Sequence, residues 1–565
     1  MLCDTDRKVD ASADKKATFR VSSTTDGIQG VPFYLIESTA PCNVEVPDPP
    51  DDPSPAAQKL LKPWDDPAAA IRDIAEKLIP NEEPGEVSLV VMAHGYNNPR
   101  PNVLAMYYGA IQALEKDENA IFTKDRRVVC VGYRWPSEGL GSILVSCIKA
   151  LPLFPLRVLL GAVIFLLLEF FFPPPGAIVW LTQLLTPLAV FLLGLIVFLM
   201  ALRWVVYFRD IYRATNFGVQ DLVEVIRQID LEASRIVKER NIRDRKRIAL
   251  SFVGHSMGGL VVTNVIRVLC DVFDPAVIRK DLSNQPRDVP ATAGEPLPPG
   301  KVTAKVGHVF SLMRFVLASP DIPAEALLAA RGNFLESSLA RFKEAYLFSN
   351  EGDEVLRLIS TTANYFSFPT MHRTSGYRLG NVEILSSDFK AMRSDGGLGL
   401  LSALRAGQKT LEELSDSPSA AEVCAAASVA DAFSYFDCTD YVDDPDRRPY
   451  LTEARNYKAT NPNGRIPDLE HAKLLLLYVF AKPPRNINVH GGYFEGTVTQ
   501  RLIYRLACLG FDDAADVYAG ETQLLAECEA HQIRVMLSKR LAEQSEAERK
   551  HRELIDRERI DQDLR

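Results

Sequence analysis

A serine at a sharp turn is the side chain whose setting in this sequence most clearly suggests chemistry. Residues 248–253 form an apolar, β-branched run, the motif Gly-x-Ser-x-Gly follows at 254–258, and a helical pattern begins at once. A turn between strand and helix holds its central serine in a strained backbone conformation and lifts the hydroxyl out of the end of the sheet. A Cβ at Gly254 or Gly258 would crowd the strand against the helix. The pattern predicts Ser256 as a nucleophile.

The base that would activate this serine is predicted from chain order. A serine hydroxyl is a weak nucleophile near neutral pH, so it needs a histidine to accept its proton and a carboxylate to orient that histidine. On such a turn the expected order is serine, acid, histidine. Of the eight histidines, His490 in NVHGGYF lies late in the chain, in a loop-like segment with two glycines. We predict His490 as the base, and we expect the side chain of His255, beside the serine, to leave the turn in another direction.

Two aspartates are candidates for the acid. Asp353, in SNEGDEVL, directly follows an apolar strand pattern, and Asp321, in ASPDI, has a similar position one strand earlier. Sites of this kind form at the carboxyl ends of parallel strands, although an aspartate before a helical run can also cap the helix. We prefer Asp353 and keep Asp321 as the alternative acid.

Backbone N–H groups are expected to bind the oxyanion that forms when a carbonyl is attacked. The N–H of Met257, directly after the nucleophile, is one predicted donor. The other is expected in the loop after an early strand, which here reads HGYNN at 94–98. The expected donor in this loop is the backbone N–H of Gly95 or of Tyr96.

Charge and cysteine content exclude several other classes of protein. The chain has 565 residues and a net charge of −9, so nothing indicates nucleic-acid binding. Its nine cysteines are scattered, with no Cys-x-x-Cys pair and no Cys/His spacing typical of metal ligands. We expect free thiols in a reducing compartment, no metal and no cofactor.

Strand and helix patterns alternate along the part of the chain that contains these motifs. Such alternation, with strands buried on both faces, is typical of a doubly wound, mostly parallel α/β sheet. The predicted strands are 87–93, 127–133, 248–253, 309–318, 345–348 and 432–436, and the predicted helices include 68–79, 102–114 and 218–238.

A long apolar segment interrupts this alternation. Residues 170–202 contain no charged side chain, and about 20 apolar residues suffice to span a bilayer. We expect a hairpin at 143–209 with legs near 151–172 and 178–202 and a turn at the PPPG sequence. Because both flanks belong to one sheet, the number of membrane crossings must be even. A re-entrant or interfacial hairpin, or an apolar lid in a soluble protein, is an open alternative.

Basic residues flank the open end of this hairpin and are absent from its turn (Lys149, Arg157, Arg203, Arg209 and Arg213). Positive charges collect on the cytoplasmic side of membrane proteins. The expected location is therefore the cytoplasmic face of a membrane.

The motifs HGYNN, YRWPS, GHSMGG, ASPDI, SNEGDEVL and HGGYF, in this order, resemble the α/β-hydrolase superfamily, and within it a bacterial branch of largely undefined role. The resemblance covers residues 85–142 and 210–495. It implies an α/β-hydrolase fold and a triad of Ser256, Asp353 and His490, with Tyr96 and Met257 as backbone oxyanion donors.

Four regions follow from these observations: an N-terminal flank at 1–83, partly disordered with short strands; a catalytic domain at 84–142 and 210–500; the hairpin; and a C-terminal helical tail at 501–565. We expect a membrane-associated serine hydrolase of the esterase, lipase or thioesterase type. Its partners would be a lipid bilayer and a small-molecule or lipid acyl ester. The charged helix at 539–565 could contact a protein. The alternative is a non-catalytic, membrane-tethered scaffold with a hydrolase fold.

Overall fold

The computed structural model describes most of the predicted core. The described residues are 18–24, 31–40, 61–81, 85–137, 153–272, 304–326, 335, 339, 341–363, 376–410, 430–443 and 466–541, with short gaps inside several of these ranges. The charged segment predicted as a C-terminal helix lies almost entirely outside them.

Fifteen strands are found in this part of the chain. In chain order they are β1 (Phe19–Thr24), β2 (Phe33–Ser38), β3 (Leu61–Pro63), β4 (Glu86–Ala93), β5 (Arg126–Arg134), β6 (Ile248–His255), β7 (Lys305–Val306), β8 (Phe310–Ala318), β9 (Glu344–Ser349), β10 (Val382–Leu385), β11 (Lys390–Ala391), β12 (Gly397–Leu401), β13 (Gln408–Thr410), β14 (Phe433–Asp437) and β15 (Arg534–Met536). Twelve form one sheet, and β10, β12 and β13 form a small antiparallel sheet.

The centre of the large sheet is parallel. Seven strands lie side by side in the order β2-β5-β4-β6-β8-β9-β14, and each neighbouring pair runs parallel. Strands β4 and β6 are apolar and almost wholly buried, as expected for strands covered on both faces. Antiparallel strands β1 and β15 flank this parallel centre. All the parallel strands therefore end at one edge of the sheet.

The described part of the chain contains eleven α-helices, several of which cover the two faces of this sheet. In chain order they are α1 (Pro67–Leu78), α2 (Arg100–Lys116), α3 (Leu153–Phe171), α4 (Val179–Trp204), α5 (Val206–Arg213), α6 (Val219–Glu239), α7 (Met257–Val272), α8 (Asp468–Phe480), α9 (Thr497–Cys508), α10 (Phe511–Val517) and α11 (Glu521–Ala530). A π-helical turn, Ala214–Gly218, joins α5 to α6.

Two apolar cores show how the helices are divided between the faces. Leu89 and Val91 of β4 contribute to one core, and Val90 and Met92 to the other. Successive side chains of a strand point to opposite faces, so the two cores lie on opposite sides of the sheet. Helices α1, α6 and α7 cover the first, and α2, α9, α10 and α11 cover the second. The predicted mixed α/β fold with a largely parallel central sheet is confirmed.

The ends of the chain contribute more to this sheet than the sequence indicated. Strands β1 and β2, within the predicted N-terminal flank, extend the sheet at one side. The predicted domain boundary at residue 500 falls inside α9, and β15 pairs with β14 beyond it. The C-terminal region therefore packs on the sheet and adds a strand to it.

Helices α3 and α4 form the inserted hairpin. They correspond to the predicted legs at 151–172 and 178–202 and pack against each other, whereas residues 173–175 of the predicted turn lie outside the described residues. In the part of the chain that the structure describes, no helix is both long and apolar enough to cross a membrane. Helix α3 also contains Arg157 and Glu169, and charged side chains are costly inside a bilayer. The prediction that the legs span a membrane is therefore not supported.

Candidate active site

Ser256 occupies a strained turn between β6 and α7. Its φ of +54° lies in the left-handed region, which residues with a side chain rarely adopt. The backbone N–H of Ser256 donates to the carbonyl of Ala318 (3.0 Å), and its own carbonyl accepts from the N–H groups of Gly259 (2.9 Å) and Asp321 (3.1 Å). These three bonds, one to the last residue of β8 and one to the segment just after it, hold the turn in this conformation.

The glycines beside Ser256 allow the chain to pass at close range. A Cβ at Gly254 would lie 2.6 Å from the Cα of Gly259, which is the contact between strand and helix that the sequence predicted. A Cβ at Gly258 would run into the backbone carbonyls of Ala93 and His94. Gly258 therefore makes room for the loop after β4 rather than for the strand that precedes the serine.

His490 and Asp353 form a buried pair near this turn. The His490 Nδ1–H donates to Oδ2 of Asp353 over 2.7 Å. The Oδ1 atom of Asp353 accepts the backbone N–H groups of Val355 (3.1 Å) and Leu356 (3.2 Å). With the proton on Nδ1, the lone pair of His490 Nε2 is the basic site. Among the described residues, neither this nitrogen nor the Ser256 hydroxyl has a hydrogen-bond partner.

The alternative acid, Asp321, has different partners. Its Oδ1 forms a buried ion pair with Nε of Arg378 (3.2 Å), and its Oδ2 accepts the Ser360 hydroxyl (3.1 Å). The structure thus joins His490 to Asp353 and places Asp321 in a structural ion pair. Of the two aspartates that the sequence left open, Asp353 is therefore the one that contacts His490.

The loop after β4 lies directly beside the nucleophile. A Cβ at Gly95 would be 2.9 Å from the Cβ of Ser256. The ring centroids of Tyr96 and His490 lie 6.2 Å apart. Met257 is the first residue of α7, and the first N–H groups of a helix have no acceptor within it. The structure therefore brings the predicted oxyanion donors Gly95, Tyr96 and Met257 to the same edge of the sheet as Ser256.

His94 packs against Trp135 and holds the loop after β4 in place. Its ring stacks on Trp135 with centroids 5.1 Å apart, and the indole Nε1–H of Trp135 donates to the His94 carbonyl (2.9 Å). Burial lowers the pKa of His94 to about 3, so the ring is neutral at neutral pH. Its Nδ1–H donates to the carbonyl of Gly95 (2.7 Å).

His255 contacts His490, which the sequence did not predict. We expected its side chain to leave the turn in another direction. Instead, the centroid of its ring lies 5.0 Å from that of His490, and its Nε2–H donates to the His490 carbonyl (3.0 Å). Burial, together with the charge that His490 can carry, lowers the pKa of His255 to about 3. A neutral His255 therefore anchors the loop of His490. The only feature of the sequence that could have indicated this contact is the position of His255 next to Ser256.

Two further polar residues hold the acid and base loops. The hydroxyl of Ser319, a residue with a φ of +45° at the end of β8, donates to Oδ2 of Asp353. The Asn350 side-chain amide donates to the carbonyl of Val489, next to His490 (2.9 Å). Both residues directly follow strands, which was the only signal in the sequence that could have pointed to them.

No protein-family model, curated protein or solved structure matches the chain. Within the described residues, no group of three or more His, Cys, Asp and Glu is arranged to hold a metal ion.

Proposed function

We propose that this protein is a serine hydrolase of the α/β-hydrolase type that cleaves acyl esters or thioesters. The observation that carries the proposal is the buried Asp353–His490 pair at the same sheet edge as a serine in a left-handed turn. Strain at a buried serine is costly and is typical of functional sites. The neighbouring loop containing Gly95 suits an oxyanion hole.

The proposed reaction assigns one role to each of these groups. The Ser256 oxygen attacks the acyl carbonyl carbon while Nε2 of His490 takes the hydroxyl proton, and Asp353 stabilises the imidazolium that forms. Backbone N–H groups of Met257 and of Gly95 or Tyr96 bind the oxyanion. The tetrahedral intermediate then collapses, and the leaving alcohol or thiol receives the proton from His490. Water, activated by the same nitrogen, hydrolyses the acyl enzyme and frees Ser256.

The exposed hairpin supports association with a lipid surface. Phe170, Phe172 and Trp180 are 79%, 73% and 67% exposed, respectively, and a large apolar patch in water is a sign of a binding surface. Aromatic side chains favour the interface of a bilayer, where an apolar face can lie without spanning it. The Glu169 carboxylate accepts the Thr186 hydroxyl (2.5 Å) inside the hairpin. A lipid-derived acyl ester is the substrate class that such a location favours.

An active-site serine probe tests the enzyme against the scaffold alternative. A fluorophosphonate should label the folded wild-type protein, and Ser256→Ala should abolish both labelling and ester hydrolysis, the latter by on the order of 10⁶-fold in kcat. Ser434→Ala is the matched control, because Ser434 is a buried serine on β14 whose hydroxyl oxygen accepts the N–H of Ser538.

Two results would contradict the proposal. Labelling that survives Ser256→Ala would show another nucleophile, and folded wild-type protein that is neither labelled nor active would favour the scaffold. If Ser256 is the labelled nucleophile, assays of the wild-type protein with esters of graded acyl length would define the substrate class.

A further inference from the structure

The two ends of the hairpin meet at a buried serine. Ser137 follows β5, where the chain leaves the sheet toward the hairpin, and Asp210 lies in α5, where the chain returns. The Ser137 hydroxyl donates to Oδ2 of Asp210 over 3.1 Å. Both residues are at most 1% exposed. This bond therefore closes the base of the insertion.

The same hydroxyl reaches the loop beside the nucleophile. Its oxygen accepts the backbone N–H of Asn98 (3.1 Å), and the Asn98 side-chain amide donates to the carbonyl of Gly95 (3.2 Å). A continuous hydrogen-bonded path, which we call the relay, thus runs from Asp210 through Ser137 and Asn98 to Gly95.

The end of the relay determines where a predicted oxyanion donor points. The carbonyl of Gly95 and the N–H of Tyr96 belong to one planar, trans peptide unit and point in opposite directions. The Gly95 carbonyl accepts two bonds, from the side chains of His94 and Asn98. Fixing this carbonyl therefore fixes the direction of the Tyr96 N–H.

The other end of the relay is anchored by charge. Oδ1 of Asp210 pairs with Nε of Arg209 (3.2 Å) and with a guanidinium nitrogen of Arg213 (3.8 Å). Arg213 and Asp210 are both buried in α5 or at its end. The carboxylate that accepts the Ser137 hydroxyl is therefore held on the short helix that directly follows the hairpin.

We propose that Ser137 and Asp210 are positioning residues through which the base of the hairpin orients the oxyanion-binding peptide of Gly95 and Tyr96. This inference rests on the proposed hydrolase function, because it assigns these residues to the stabilisation of its transition state. Positioning of this kind changes kcat more than KM, since the oxyanion forms only after the substrate has bound.

The test compares two breaks in the relay with a matched control. Ser137→Ala removes its central hydroxyl, and Asn98→Ala removes the bond to Gly95 at a half-buried site where folding is less at risk. Both variants should lose roughly 10- to 100-fold in kcat with KM little changed. Ser434→Ala, which loses an equally buried hydroxyl away from the site, should keep the wild-type kcat even where its melting temperature falls as much.

The possible outcomes distinguish failure of the relay from failure of the proposed hydrolase function. If the wild-type protein hydrolyses esters and both Ser137→Ala and Asn98→Ala keep kcat within about twofold, the relay is refuted and the hydrolase stands. If Ser137→Ala does not fold, Asn98→Ala alone decides by the same criterion. Wild-type protein that is folded but shows neither hydrolysis nor probe labelling overturns both.

Discussion

His490 is held by contacts on three sides. Its Nδ1 donates to Asp353, its carbonyl accepts from His255, and its ring lies beside that of Tyr96. Since Nδ1 is occupied, Nε2 is the nitrogen that remains for proton transfer. Holding an imidazole in one tautomer and one orientation is the function of the third member of a serine triad. We propose this function for Asp353, which contacts His490, whereas Asp321 pairs with Arg378.

Substituting the two aspartates separately tests this assignment. Asp353→Asn should lower kcat by about 10⁴-fold, because an amide can donate to Nδ1 and favour the wrong tautomer. Asp321→Asn should leave most of the activity of the folded protein. It should lower the free energy of unfolding by about 3–5 kcal/mol, because the change removes one charge of the buried Asp321–Arg378 ion pair.

The measurements are steady-state kcat for both variants and urea unfolding at the same pH. Loss of turnover in Asp321→Asn together with near-normal turnover in Asp353→Asn would reverse the assignment of the acid.

At the scale of elements, the site depends on close packing between β6, α7 and the loop after β4. Gly254 lies where β6 meets α7, and Gly258 lies where α7 meets that loop. The carboxyl ends of parallel strands β4, β6, β8 and β9 then place Gly95, Ser256, Ser319 and Asp353 at one edge. The turn geometry is therefore a consequence of layer packing as much as of local sequence.

A pair of glycine substitutions tests this packing. Gly254→Ala should lower the free energy of unfolding by about 1–3 kcal/mol or more, because its Cβ would lie 2.6 Å from the Cα of Gly259 and backbone must move. Gly109→Ala is the control, since Gly109 lies within α2 and its Cβ would make only an ordinary contact, 3.5 Å from Gln500. That change should stabilise the helix by up to about 1 kcal/mol. Equal effects of the two changes in urea unfolding would contradict the packing argument.

At the scale of the whole molecule, the hairpin differs from the rest of the chain. The sheet and its covering helices bury their apolar side chains in two cores, whereas α3 and α4 leave large apolar side chains in solvent. The hairpin base is nevertheless bonded to the loop beside Ser256 through Ser137. One set of hydrogen bonds therefore connects the hairpin, which carries the proposed lipid-binding surface, to the loop beside the proposed nucleophile.

Binding to vesicles tests the exposed face. The double variant Phe171→Ser/Trp180→Ser changes two aromatic residues that are 66% and 67% exposed. It should bind vesicles of phosphatidylcholine and phosphatidylglycerol about 100-fold more weakly or worse, because each aromatic loses a burial energy of about 1.5–3 kcal/mol. Leu231→Ser, at a position on α6 that is 44% exposed, is the control and should bind as the wild type does. Sedimentation with the vesicles measures the bound fraction. Wild-type binding by the double variant, or no binding by the wild type, would refute the lipid surface.

The sequence by itself determined the elements and the strand-turn-helix setting of Ser256, because both depend on local patterns. Buried parallel strands are continuous apolar runs, so the predicted strands at 87–93, 248–253 and 309–318 agree closely with β4, β6 and β8. The motif at 254–258 specifies a turn between strand and helix, and chain order selected His490 from eight histidines.

Only the tertiary structure decided which side chains meet. Asp321 and Asp353 both follow strands that end at one edge, so no local pattern separates them. In the structure Asp321 pairs with Arg378, which lies on a distant segment, and Asp353 is the aspartate that contacts His490. His255 reaches His490, and Ser137 reaches both Asn98 and Asp210, across long stretches of chain. Such contacts depend on how layers pack and on how loops leave one sheet edge, and neither is encoded in the spacing of neighbouring residues.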